Sequence, residues 1–124
     1  MDLTSQINRI LTDYVDDVDN VVLKVEEEVA KEAVKKLKTT SPVNPSYHGR
    51  HYKDGWTVDN KSKKTYAKYI IKNRQYQLTH LLENGHDVVR GGRKVGRAKA
   101  QPHIKPVEEW VKTEVEERIR RGLS

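Results

Sequence analysis

The chain has 124 residues, 35% hydrophobic and 34% charged, with two Trp, six Tyr and no Phe, which is one domain of ordinary size whose modest core leaves much of the chain at a surface or under a partner. No apolar run approaches the ~20 residues that span a bilayer, the acidic opening Met1-Asp2 argues against a signal peptide and for a cytoplasmic protein, and zero Cys excludes disulfides, thiolate metal sites and Cys nucleophiles. The net charge of +6 is uneven: −3 over residues 1–41, +10 over 42–106 and −1 over 107–124, so the basic middle fits nucleic acid, an acidic partner or simply a solvated face.

Leu3, Ile7, Ile10, Tyr14, Val18, Val21, Val25, Val29 and Ala33 recur at steps of three and four, which places them on one face of a helix. Asp2 is its expected N-cap and Ser41-Pro42 its stop. Unbroken, such a helix runs about 57 Å, more than a small domain can bury. The poor helix formers Asp16-Asp17-Val18-Asp19-Asn20 therefore suggest a bend, the alternative being first turns that project and pack on a neighbouring subunit. Pro42 to Gly55 reads as an irregular loop. Trp56-Thr-Val58 and Tyr66 to Ile71 read as an antiparallel hairpin joined by the polar turn 59–64. Leu78, Leu81 and Leu82 suggest a short helix ended by Asn84-Gly85, with all three joining Trp56, Trp110, Val25, Val29 and Ala33 in the core. The Gly-rich basic stretch His86 to Gln101 reads as a long mobile loop, with room for one edge strand at Val88-Val89, that orders on assembly. Val107, Trp110, Val111, Val115 and Ile119 mark a closing helix with Pro106 in its first turn. The expected fold is α+β and single-domain over 1–124, with the N- and C-terminal helices packed on a small, mainly antiparallel sheet and a long basic loop.

Chemical sites are sparsely signalled. His48, His51, His80, His86 and His103 lack a known ligand spacing, and no i, i+4 His pair lies on a helix, so no metal is expected. Glu83 is the only acid between Asp59 and Asp87; one carboxylate without a nucleophile reads better as a capping or ion-pair partner than as a general acid or base. Gly91-Gly-Arg-Lys-Val-Gly96 lacks the Gly-Lys-Ser/Thr ending of a phosphate loop, so no nucleotide cofactor is expected. Tyr47, Tyr52, Tyr66, Tyr69 and Tyr76 near basic residues allow contact with single-stranded nucleic acid, although Tyr66 and Tyr69, three apart in a strand, face opposite ways. A small basic nuclease or toxin is the alternative function, its catalytic set drawn from His80, Glu83, His86 and Arg93.

Three segments in order carry a family resemblance: Tyr76-Gln-Leu-Thr-His-Leu-Leu-Glu-Asn-Gly-His86, then Gly91-Gly-Arg93, then Pro102-His-Ile-Lys-Pro106 before a charged helix. With Ser41-Pro42 after a long helix and Gly49 to Gly55-Trp56 opening the first strand, the chain resembles the gene-product-ten-like tail-component family of lambdoid siphophages over residues 30–120. The stretch Pro42 to Gly49 is longer than the family's Pro-x-x-Thr-Gly and lacks its Thr. The resemblance implies a virion structural protein of the neck, not an enzyme, that acts in head-tail joining or tail completion as a homo-oligomeric ring. Its implied partners are the head-tail connector and tail tube proteins, with non-specific contact to packaged DNA, no membrane and assembly in the host cytoplasm. His80, Glu83, His86, Arg90, Arg93, Arg97 and His103 are the candidates for assembly or partner contact.

Overall fold

The structure is a computed structural model that describes residues 2–44, 48–64 and 66–124. Tyr47 of the stacking candidates, Pro45 and Ser46 of the unusual Pro42–Gly49 stretch, and Thr65 lie outside the described residues. The first helix, α1 (Leu3–Thr40), is continuous over 38 residues, so the bend expected at Asp16–Asn20 is absent. The helical penalty of Asp or Asn is only about 0.7 kcal/mol per residue, and a helix already nucleated on both sides absorbs it. At its start Asp2 accepts from the Ser5 backbone N–H (3.3 Å) and hydroxyl (2.6 Å), the latter the main reason its carboxyl sits below its ordinary pKa. At its end the Ser41 N–H returns to the Leu37 carbonyl at 3.0 Å, and Pro42 prevents continuation.

The last helix, α3 (Ile104–Leu123), lies antiparallel on α1: Lys36 reaches the Trp110 ring at 4.6 Å, Arg118 pairs with Glu32 at 2.7 Å, and Gly122 lies beside Val21. That last approach is so close that a Cβ on Gly122 would stand 2.7 Å from Val21 Cγ1. The core forms at the other end of this pair. Ala33, Leu37, Tyr52, Trp56 and Val107 are buried there, with Val34, Ile71, Leu82, Ile104, Trp110 and Val111 packed around them. Val25 and Val29 are also buried, as expected. Of the three leucines in the short helix α2 (Tyr76–Asn84), however, only Leu82 packs on the core; Leu78 and Leu81 are 39% and 40% exposed. A nine-residue helix presents a narrow contact stripe, and Leu78 instead borders an open crevice beside Pro42 and Val43.

A short 3-10 turn (Tyr52–Gly55) leads into β1 (Trp56–Asn60), which pairs antiparallel with β2 (Tyr69–Asn73), in register from Trp56 opposite Asn73 to Asn60 opposite Tyr69. Tyr66, expected within the strand, sits instead in an isolated bridge with Lys63. The larger departure is at His86–Gln101. It is no loop: β3 (His86–Arg90) and β4 (Arg93–Ala98) form a second hairpin, and the two sheets are separate. Gly91 (φ 57°) and Gly92 (φ 75°) supply the two positive φ values that a tight type I′ turn demands, and such a turn fixes the pairing of Arg90 with Arg93. A register shift between Val88 and Val89 leaves Val95 unpaired as a bulge and breaks the alternation that would have betrayed the strands. The fold is thus α+β, with the terminal helices packed together and two small antiparallel sheets.

Candidate functional site

The polar residues buried in the core make a joint between α1, α2, α3 and the 3-10 turn. His103, 1% exposed, stands at the N-terminus of α3. Its Nδ1 faces two acceptors, the Gln101 carbonyl at 2.9 Å and Glu83 Oε1 at 3.0 Å, so Nδ1 carries a proton. In the neutral ring Nε2 then accepts from the Tyr52 hydroxyl at 2.9 Å, and Tyr52 in turn lies 3.2 Å from Thr79 Oγ1. The His103 ring also meets Tyr52 and Trp56 edge to face, with centroids 5.4 and 6.1 Å away. Trp56 Nε1 donates to Ser41 Oγ at 2.7 Å, closing the joint onto the end of α1. Asn73 donates to the Tyr52 carbonyl at 2.8 Å and accepts from the Gln75 N–H at 2.9 Å, which ties the 3-10 turn to the start of α2.

Glu83, in the last turn of α2, accepts the backbone N–H groups of His103 (2.7 Å), Ile104 (2.9 Å) and Lys105 (3.0 Å). These belong to the donors that a helix start leaves without partners, so the carboxylate caps α3 from another element and meets the positive end of its dipole. Burial pushes the Glu83 carboxyl up, but the backbone N–H groups of His103, Ile104 and Lys105, helped by the electrostatic pull of the His103 ring, outweigh it and hold its pKa below the ordinary value. The Tyr52 hydroxyl is pushed up, chiefly by burial and also by the Glu83 charge, against an opposing bond to Thr79. The capping role anticipated for Glu83 therefore holds, and it engages both carboxylate oxygens.

Of the other candidates, only His103 meets Glu83. His80 is exposed on the rim of an apolar groove, and His86 opens β3 half-buried, with its Nδ1 unpaired among the described residues. Arg97 bonds Asp87 at 3.2 Å and the Asn84 carbonyl at 3.3 Å, while Lys94 reaches the same Asp87 at 3.3 Å. Arg90 and Arg93 stand opposite each other at the exposed tip of the hairpin, with no ion pair among the described residues. Among the described residues no three His, Asp or Glu groups come together as a metal site requires. The sequence reading missed Tyr52, Ser41 and Asn73 as members of the joint, because each bonds across more than a dozen residues and leaves no local period.

Two exposed surfaces stand out, one beside this joint and one at the far end of α1. An open groove of about 650 Å³, with Trp56, Ile71, Ile104, Val107 and Val111 among its walls, runs between α2, α3 and β2. On α1, the stripe that α3 covers as far as Val21 continues uncovered through Leu3, Ile7, Ile10, Leu11, Tyr14 and Val15, which are 47% to 67% exposed. No helix among the described residues is long and apolar enough to cross a membrane.

The fold and its surfaces define a small α+β protein with a tightly capped joint, one long projecting helix and one projecting hairpin. A sequence model of the HK97-gp10-like family, described as "Bacteriophage HK97-gp10, putative tail-component", matches residues 2–85, and the chain belongs to this family. The match takes in all of α1, the first hairpin and α2; the segments 91–93 and 102–106, which also carried the resemblance, fall beyond it. Comparison with curated proteins and with solved structures returned no match.

Proposed function

We propose that the protein is a structural subunit of the phage neck that assembles as a homo-oligomeric ring and acts in head-tail joining or tail completion, without catalytic activity. Family membership supplies the tail-component role. The observation that carries the finer reading is the uncovered apolar stripe on about the first four turns of α1, a surface that a free subunit gains by burying against another chain. Its partners in this reading are further copies of itself, the adjoining connector and the tail tube, in a virion assembled in the host cytoplasm. Arg90, Arg93 and Lys94 at the hairpin tip suit carboxylates of a neighbouring ring or phosphates of the packaged DNA, and Arg97, His80 and His86 flank these surfaces. Glu83 and His103 serve assembly indirectly, by fixing α3 against α2.

The test is genetic and structural. A phage carrying a nonsense codon in this gene should yield DNA-filled heads and complete tails that stay unjoined, or tails of aberrant termination, and supplying the protein should restore joined particles. Normal joined virions without the protein would overturn the reading. The alternative, a nuclease using His80, Glu83, His86 and Arg93, has against it that both Glu83 oxygens are engaged in capping α3.

A further inference from the structure

Resting on that ring reading, we infer that the projecting part of α1 from one subunit seats in the apolar groove between α2, α3 and β2 of the next copy. The arm is a continuous helix, and its exposed Leu3, Ile7, Ile10, Leu11, Tyr14 and Val15 prolong the stripe that α3 covers further along, so the arm presents a core-like face that is exposed to solvent. Six side chains about half open amount to roughly 500 Å² of apolar surface, near the upper end of what a monomer leaves exposed. Laid against an equal area of the groove, that makes roughly 1,000 Å² in total at one contact, about the threshold of a specific interface. The groove matches in kind: its walls are Trp56, Ile71, Ile104, Val107 and Val111, with Tyr76 at its mouth, and its volume of about 650 Å³ suits bulky side chains laid in from a helix.

Charge selects the occupant. Residues 2–20 hold five acids against one cation, Arg9, whereas residues 56–76, six of which line the groove, hold six cations against one acid, Asp59. A parallel pair of arms would bring Asp13, Asp16, Asp17 and Asp19 toward their own copies; laid in the groove the arm meets Lys72 and Glu108 in the lining and the further cations of the β1–β2 hairpin beyond it. Arm and groove are different patches of one chain, so the contact is head-to-tail, the geometry that closes into a ring or propagates as a filament.

The experiment compares wild type with Ile7→Asp/Ile10→Asp by light scattering and thermal melting, and crosslinks a protein that otherwise has no Cys. Expected are an oligomeric wild type and a variant whose half-assembly concentration rises at least ~10-fold, a 1.4 kcal/mol effect or more, with its monomer melting temperature unchanged because both positions are exposed. Oxidation of a mixture of Ile10→Cys and Gln77→Cys chains should give a disulfide between the two different chains, Gln77 lying in the groove wall. Assembly of the double Asp variant at wild-type concentration overturns the arm-in-groove contact and leaves the ring reading standing. Efficient Ile10→Cys pairing with itself, and none with Gln77→Cys, overturns it in favour of paired arms. A wild type that stays monomeric at every concentration and with its virion partners overturns both.

Discussion

Glu83 caps α3 from the last turn of α2, and its removal is the sharpest test of the joint. In Glu83→Ala the N–H groups of His103, Ile104 and Lys105 lose acceptors at 2.7, 2.9 and 3.0 Å, and His103 Nδ1 keeps only the Gln101 carbonyl. A lost N-cap costs about 1 to 2 kcal/mol, and a charge-assisted bond to a buried donor about 1.5 to 3. Lys105 is exposed and water can replace its bond, so the loss should total roughly 2 to 3 kcal/mol rather than the sum of three bonds. Glu83→Gln keeps an acceptor oxygen without the charge and should lose about 1 to 2 kcal/mol. The pH dependence follows from the direction of the shift. The folded-state pKa of Glu83 is depressed, so the carboxylate's contribution is present above the unfolded value of about 4.3 and disappears as pH falls through the lower folded value. Urea denaturation of wild type and Glu83→Gln should therefore show a stability gap that is full at pH 6 to 7 and closes as pH falls below the ordinary carboxylate range. A Glu83→Ala loss below about 0.5 kcal/mol at pH 7, or a Glu83→Gln gap indifferent to acid, would refute the capping argument.

Gly85 takes φ 75°, and a Cβ there would stand 2.6 Å from the Ala98 carbonyl oxygen and 2.9 Å from the Ala100 nitrogen; Gly85→Ala should lose roughly 1 to 3 kcal/mol and loosen the base of the second hairpin, and a wild-type melt would show that this backbone relaxes freely. Leu37→Ala, at a site 4% exposed, should cost about 2 to 5 kcal/mol, whereas Leu81→Ala, 40% exposed, should cost under about 1; equal losses in reversible denaturation would contradict the placement of α2 at the edge of the core.

What could be read in the sequence divides along the range of the interactions. The three- and four-residue steps from Leu3 to Ala33 marked the helical face of α1, though not its continuity through Asp16–Asn20, and Val107, Trp110 and Val111 marked α3, because helical packing leaves a local period. The first hairpin was legible from β-branched and aromatic runs about a polar turn, although β2 begins at Tyr69 rather than Tyr66. The second hairpin was not, since Val89 and Val95 are solvent-exposed and a bulge interrupts the alternation; the Gly91-Gly92 pair, a type I′ turn signal, was the clue and was outweighed by the surrounding basic residues. Glu83 was legible as a capping residue only by elimination. Its target, the start of α3 about twenty residues on, is set by how α2 meets α3, as is the Tyr52–His103 bond 51 residues apart. The groove, assembled from five elements, has no linear signature at all.

The projecting arm raises a question of its own stability, and the answer is a prediction. A free helix of 12 to 15 residues is marginal in water because nucleation is unfavourable. Residues 3–20 escape that penalty by extending a helix already anchored by the packing of Val21, Val25 and Val29 near α3, so each added residue faces only the propagation step, close to neutral in free energy. Asp13, Asp16, Asp17, Asp19 and Asn20 tilt that step against helix by some tenths of a kcal/mol each, while the Asp2 cap offsets part of it at the far end. Every described residue N-terminal to Val18 is exposed, so opening there is local fraying rather than global unfolding. Amide exchange in the free subunit should then grade from strong protection at Val25–Val29 to little at Leu3–Leu11, and the gradient should flatten once subunits assemble and the arm is covered. Uniform protection out to Leu3 in a verified monomer would show that the arm is already packed within its own chain, and its exposed stripe would no longer argue for a partner.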